Sequence, residues 1–204
     1  MAEGARERIL KRALELFYTQ GVHNTGINQI IDGSRVAKAS FYHHFPSKDD
    51  LIRECMIAFR DIIYRRVKMV IDSSENFSDF LSRWAASIEE DVSRENFNGC
   101  PIANIGMITN MASGKFREQF NRILDYWYDL LSGYFEECKK RGELPDETDT
   151  RMLSRRLLHL YEGALTMWIL SGDSRYVEDL KDLFPAMITL SFREETEMSE
   201  PEGL

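Results

Sequence analysis

Apolar residues recur along the chain at the spacing of helix faces. Over 5–20, Ile9, Leu10, Ala13, Leu14, Leu16 and Phe17 fall on one side and Arg and Glu fill the other, which predicts an amphipathic helix. Gly21 suits the position that closes it. A short loop follows, and Thr25 stands where a hydroxyl would cap the next helix. That helix, over 27–34, buries Ile27, Ile30 and Ile31. After a turn at Ser34-Arg35 and the anchor Val36, Phe41 and Phe45 lie four apart on a third helix that Pro46 stops.

Each helical residue turns about 100°, so Phe41 and Phe45 share a buried face and His43 points away from it. Ala39 and Ser40 flank His43, while Lys38 and Tyr42 lie at the edges. A helix this short gains too little from its own hydrogen bonds to stand alone in water. It must be held by its neighbours and presented outward, as a DNA recognition helix is. Two short helices joined by a tight turn behind a longer support make a helix-turn-helix unit.

Beyond Pro46, Ser47 is placed to cap a long helix over 48–71, with Asp49 and Asp50 in its first turn as the helix dipole prefers. Further helices are predicted over 77–94, from Pro101 to about 110, over 114–141 with Gly142 closing it, over 148–171 and over 174–195. The tail 197–204 is expected to fray. The fold class is therefore all-α: an N-terminal three-helix helix-turn-helix domain over 1–50, then a C-terminal helical domain over 51–204 for ligand binding and dimerisation.

Charge changes this picture only when divided by position. The net charge is −8. Residues 1–50 hold Arg6, Arg8, Lys11, Arg12, Arg35, Lys38 and Lys48 against Glu3, Glu7, Glu15, Asp32, Asp49 and Asp50, a balance of +1, so the remainder carries −9. The first segment permits contact with nucleic acid and the rest discourages it. Cys55, Cys100 and Cys138 are odd in number and widely spaced, which argues against a disulfide framework or zinc site and for a reducing compartment. Without a leader or an apolar run of membrane-spanning length, the expected location is the cytoplasm, with no membrane partner.

No Walker loop, GxSxG, HExxH or kinase motif is present, so no enzyme is expected and no catalytic residue is assigned. No metal or cofactor is expected either. The adjacent His43 and His44 point about 100° apart, and His159 with Glu162 lacks the second Glu-x-x-His that a di-iron bundle needs. Cys100 precedes Pro101 at a predicted helix start, where the dipole would favour a thiolate. A thiol- or electrophile-sensing role is thus one alternative, and a small buried residue the other.

The first fifty residues resemble the DNA-binding domain of the tetracycline-repressor (TetR) family. The resemblance rests on Arg8-Ile9-Leu10, Ala13, Leu16-Phe17, Gly21, Thr25, Ile27, Ile30, Val36 and Lys38, and on Phe41-Tyr42-His43-His44-Phe45-Pro46-Ser47-Lys48 with Leu51. It implies a homodimer of about nine helices per chain. The first three would bind a palindromic double-stranded operator, and the last two would pair with the partner's. An unidentified small-molecule effector in the C-terminal domain would release the repressor. Two positions depart from the family's habit: Arg35 stands at a turn usually filled by glycine, and Ala37 where serine usually opens the recognition helix. A positive φ at Arg35 would cost roughly 1 kcal/mol against glycine.

On this reading Lys38, Ala39, Ser40 and His43 face bases, Lys38 and Ser40 as donors and the Ala39 methyl toward thymine. Thr25, Arg35, Tyr42, His44 and Lys48 serve the backbone. The alternative is a solvated helix face. Phe59, Trp84, Cys100, Met107, Trp127, Tyr161 and Trp168 are candidates to line an apolar effector pocket, with ordinary core as the alternative. Leu157, Gly163, Ala164, Leu180, Phe184, Met187 and Ile188 are expected at the dimer face, or else packed on their own chain. A helical protein-interaction module without DNA binding is the competing class.

Overall fold

A computed structural model describes residues 3–187, with the backbone alone described at 110–113. Among the described residues the chain is helical throughout and holds no strand. The helices are α1 (Ala5–Thr19), α2 (Ile27–Ser34), α3 (Lys38–His44), α4 (Lys48–Ser73), α5 (Phe77–Val92), α6 (Pro101–Ser113), α7 (Arg117–Lys140), α8 (Thr150–Ser171) and α9 (Arg175–Glu178). After a turn at Asp179 the chain is helical again over 180–187. The expected single helix over 174–195 is thus interrupted. Its last part and the tail 197–204 lie outside the described residues.

The chain forms two compact units. One joins Met1–Arg65 to Cys100–Leu124; the other joins Arg66–Gly99 to the chain from Asp125. In the first unit α1 packs against α2 and α3. Ile9, Ala13, Leu16 and Phe17 bury against a core that also takes Ile30, Ile31, Phe41, Phe45, Leu51 and Met56. The α6–α7 turn belongs to the same unit. Lys115 pairs with Asp49, the Arg53 guanidinium lies 5.2 Å from the centre of the Phe116 ring, and Phe116 is buried. Gly106 lets α6 lie close to α7, because a Cβ there would sit 2.5 Å from the Phe120 ring.

The second unit is built on α5, the later part of α7, and α8. The Trp84 ring stacks on Tyr161 and Phe184 at 5.9 and 5.1 Å, and Phe80 packs against Trp84, Tyr134 and Phe135. Local signals set the ends of these helices. Asn76 accepts from the Asp79 N–H at the start of α5, and Asp149 from the Met152 N–H at the start of α8. Gly142 and Gly172 take positive φ to close α7 and α8.

Three residues expected at the dimer face occupy this core instead. Leu157, Leu180 and Phe184 are fully buried within their own chain, and Ala164 is buried as well. A side chain with no exposed area has nothing for a partner to cover. Gly163 is exposed and Met187 half-buried, whereas Ile188 lies outside the described residues.

Candidate DNA-binding face and partner face

The turn before α3 is a Schellman motif. Arg35 takes φ 53 and ψ 47, its N–H bonds the Asp32 carbonyl, and the Val36 N–H reaches back to Ile31. Arg8 braces the same end of α2 by donating from Nε to the Ser34 carbonyl at 3.2 Å. With Phe41 and Phe45 sealed into the core and the Arg6 guanidinium over the Phe45 ring, the orientation of α3 is fixed. Lys38, Ala39, Tyr42 and His43 face solvent, and Ser40 and His44 are half-buried. The two imidazoles meet edge to face at 5.1 Å. Phe41 and Phe45 are buried and His43 is exposed, as their spacing predicts, while Ser40 is less exposed than the edge positions Lys38 and Tyr42.

Ser47 caps α4 as expected: its Oγ accepts from the Asp50 N–H at 3.1 Å and donates to the Asp50 carboxylate at 2.6 Å. Lys48 extends its ammonium to the Val22 carbonyl at 2.6 Å, tying the start of α4 to the loop before α2. Partial burial lowers its pKa and the neighbouring Asp49 opposes that shift.

Thr25 differs from expectation. It is 1% exposed, and its hydroxyl donates to the Gly21 carbonyl at 2.7 Å. The N-cap of α2 is Gly26, which makes no side-chain bond. The Thr25 hydroxyl instead closes the end of α1, where carbonyls left over by the helix need donors. Gln20 and Gln29 exchange hydrogen bonds through their side-chain amides, and Gln20 also donates to Thr25. No local sequence pattern pairs residues nine apart, so this polar clasp between α1 and α2 is visible only in the fold.

The pocket candidates divide between the units. Phe59, Cys100 and Met107 belong to the first, and Trp84, Trp127, Tyr161 and Trp168 to the second. Trp84 and Tyr161 are stacked, Trp168 packs on Phe97 at 5.6 Å, and Trp127 is buried. Met107 stands 50% exposed.

Cys100 is only 6% exposed, and Cys55 and Cys138 are fully buried. Burial pushes the Cys55 and Cys138 thiols upward, that of Cys138 to about 11. These are the surroundings of unreactive thiols, and thiol sensing is not favoured. Among the described residues no group of three or more His, Cys, Asp or Glu side chains is placed to hold a metal ion, and no helix is long and apolar enough to cross a membrane.

The second unit presents an apolar surface that the expected dimer residues only partly include. Leu160, Gly163, Met167 and Leu170 follow one another on α8 at steps of three and four, and Leu170 is 75% exposed. Beside them Arg156, His159, Leu160, Leu183, Ala186 and Met187 line an open groove of about 280 Å³. The heptad-like spacing on α8 was the available signal in the sequence.

Comparison with known proteins agrees with this architecture. Residues 9–55 match the family model for bacterial regulatory proteins of the tetR family, and residues 75–184 match the tetracyclin repressor-like C-terminal domain. The chain is 30% identical over 189 residues to the uncharacterized HTH-type transcriptional regulator YxaF of Bacillus subtilis, covering 90% of this chain and 95% of that protein. It is 25% identical to the HTH-type transcriptional regulator LmrA of the same organism, covering 90% and 96%. The crystal structure of a TetR-family transcriptional regulator from Cytophaga hutchinsonii superposes with a TM-score of 0.80 at 16% identity, covering 90% of this chain and 92% of that one. That likeness shows the fold. With a helix-turn-helix head matching one family model and more than half the chain matching the other, this protein belongs to the TetR family of bacterial transcriptional regulators.

Proposed function

We propose that this regulator works in the cytoplasm as a homodimeric repressor on a palindromic operator, and that a small-molecule effector releases it. The outward face of α3 carries the reading: Lys38, Ala39, Tyr42 and His43 are exposed on a helix whose other side is locked by Phe41 and Phe45. Lys38, Ala39, Ser40 and His43 meet base edges in the major groove, and Tyr42, His44 and Lys48 meet phosphates. Thr25, with its hydroxyl turned inward, belongs to the scaffold of this face.

The partner subunit covers the apolar surface of α8 and 180–187, where Leu160, Met167, Leu170 and Leu183 replace the buried Leu157, Leu180 and Phe184. A two-fold dimer presents two α3 helices to two half-sites, hence the palindrome. The effector is taken up by the second unit, among aromatic residues such as Trp84, Tyr161 and Trp168. By linkage it weakens DNA binding by the same factor as DNA weakens effector binding.

Selection of bound duplexes from random DNA, followed by titration at several salt concentrations, tests the reading. Affinity should fall steeply with salt as condensed counterions are released, and the selected sequences should be palindromic. Lys38→Ala should weaken binding to them by about 1–3 kcal/mol at an unchanged melting temperature. A flat salt response with no palindrome recovered would remove the repressor reading.

A further inference from the structure

We infer that Arg35 is a phosphate-binding residue held in an unfavourable backbone conformation, so that DNA affinity and fold stability oppose one another at this position. The inference rests on the DNA-binding reading above and adds a contact outside the face of α3.

Five of the seven basic side chains in residues 1–50 are engaged within the chain. Arg6 pairs with Glu54, Lys11 with Glu3 and Arg12 with Glu15. Arg8 donates to the Ser34 and Glu3 carbonyls and Lys48 to that of Val22. Arg35 and Lys38 alone have no hydrogen-bond or ion-pair partner among the described residues. They stand three positions apart, on either side of the start of α3, and both are exposed.

Lys38 belongs to the outward face of the helix already described. Arg35 does not, and its backbone is the unusual one. It is the only non-glycine among the described residues with a positive φ. The Schellman turn needs that conformation at this site, and glycine would adopt it without the contact between Cβ and backbone that disfavours it for an L-residue.

No hydrogen bond or ion pair of the side chain among the described residues offsets the strain. A gain from outside does. An exposed guanidinium at the approach to a major-groove helix can fork onto a phosphate with two charge-assisted hydrogen bonds. Phosphate is the fitting partner because Arg35 precedes the helix and lies off the face that meets base edges. A contact of that kind holds register and adds affinity on any sequence.

Arg35→Gly and Arg35→Lys in the full chain test this against two duplexes, one selected by the protein from random DNA and one of unselected sequence. Arg35→Gly should raise the thermal midpoint by about 2–4 °C. It should weaken binding to both duplexes by a similar factor, about tenfold or more. The slope of log affinity against log salt should fall by about 0.9 for each Arg35 engaged. Arg35→Lys, which keeps charge and strain, should retain the midpoint and the slope.

Unchanged affinity and slope in Arg35→Gly would overturn the proposal. So would a loss confined to the selected duplex with the slope intact, which would make Arg35 a base reader. A glycine variant no more stable than the parent would overturn the opposition between affinity and stability. If the parent binds neither duplex in a salt-dependent way, the DNA-binding reading itself fails, a result distinct from the others.

Discussion

Replacing Phe184 with alanine separates the chain's core from the partner face proposed above. Phe184 is fully buried and its ring stacks on Trp84 at 5.1 Å and 25° between planes. The neighbouring Leu183 is 43% exposed and lines the open groove. Emptying a buried Phe site costs about 3–5 kcal/mol, because the cavity collapses only in part. Of that, about 0.5–1.5 kcal/mol is the ring pair itself. With a urea dependence of about 2–3 kcal/mol per molar, Phe184→Ala should lower the unfolding midpoint by about 1–2.5 M.

The assay is urea unfolding at two protein concentrations, with sedimentation of the native protein alongside. A change in the core lowers the midpoint at both concentrations and leaves its concentration dependence in place. Leu183→Glu should do the reverse, converting dimer to monomer and removing the concentration dependence. If Phe184→Ala unfolds at the parent's midpoint yet sediments as a monomer, Phe184 is an interface residue and the packing argument is wrong.

Two further outcomes are expected. In the native protein none of the three cysteines should react with a thiol reagent on mixing, and all three should react after unfolding; one fast equivalent, lost in Cys100→Ser, would restore the sensing role. Stability should fall as pH rises from about 9 to about 11, since burial keeps the Cys138 thiol protonated to about 11 in the folded chain while the unfolded chain loses its proton from about 9. Urea midpoints across that range should decline less steeply in Cys138→Ala, and an equal decline would place the linkage elsewhere.

Periodicity and end signals made most helices legible in the sequence. Phe41 and Phe45 leave one way to seat α3, and Gly21 and Gly142 end their helices as their conformational freedom allows. Thr25 differs from expectation because a hydroxyl before a helix has two uses. It can accept from the helix ahead or donate to carbonyls behind, and only the position of the Gly21 carbonyl decides. The burial of Leu180 and Phe184 within their own chain is hidden from the sequence for a related reason. Leu180 and Phe184 share a short helical stretch with Leu183 and Met187, so both of its sides are apolar. Only the stacking of Phe184 on Trp84 shows which side is core. The Gln20–Gln29 clasp and the contacts of Phe116 join residues that no local pattern links.

The two-part construction of the first unit bears on the order in which the protein is made. Arg65 leaves the ribosome well before Leu124, and a unit needing both Met1–Arg65 and Cys100–Leu124 cannot close until the later stretch emerges. At about 5–20 residues per second, that interval is about 3–12 s. During it Arg53 lacks the Phe116 ring and Asp49 lacks Lys115. The larger part of the head that meets DNA is synthesised ahead of Arg66–Gly99, yet the head is completed only after the whole of that segment has been made. Transplanting the head into another regulator therefore means carrying Cys100–Leu124 with it, because a cut just after the helix-turn-helix would leave α4 without the turn that clasps its first residues.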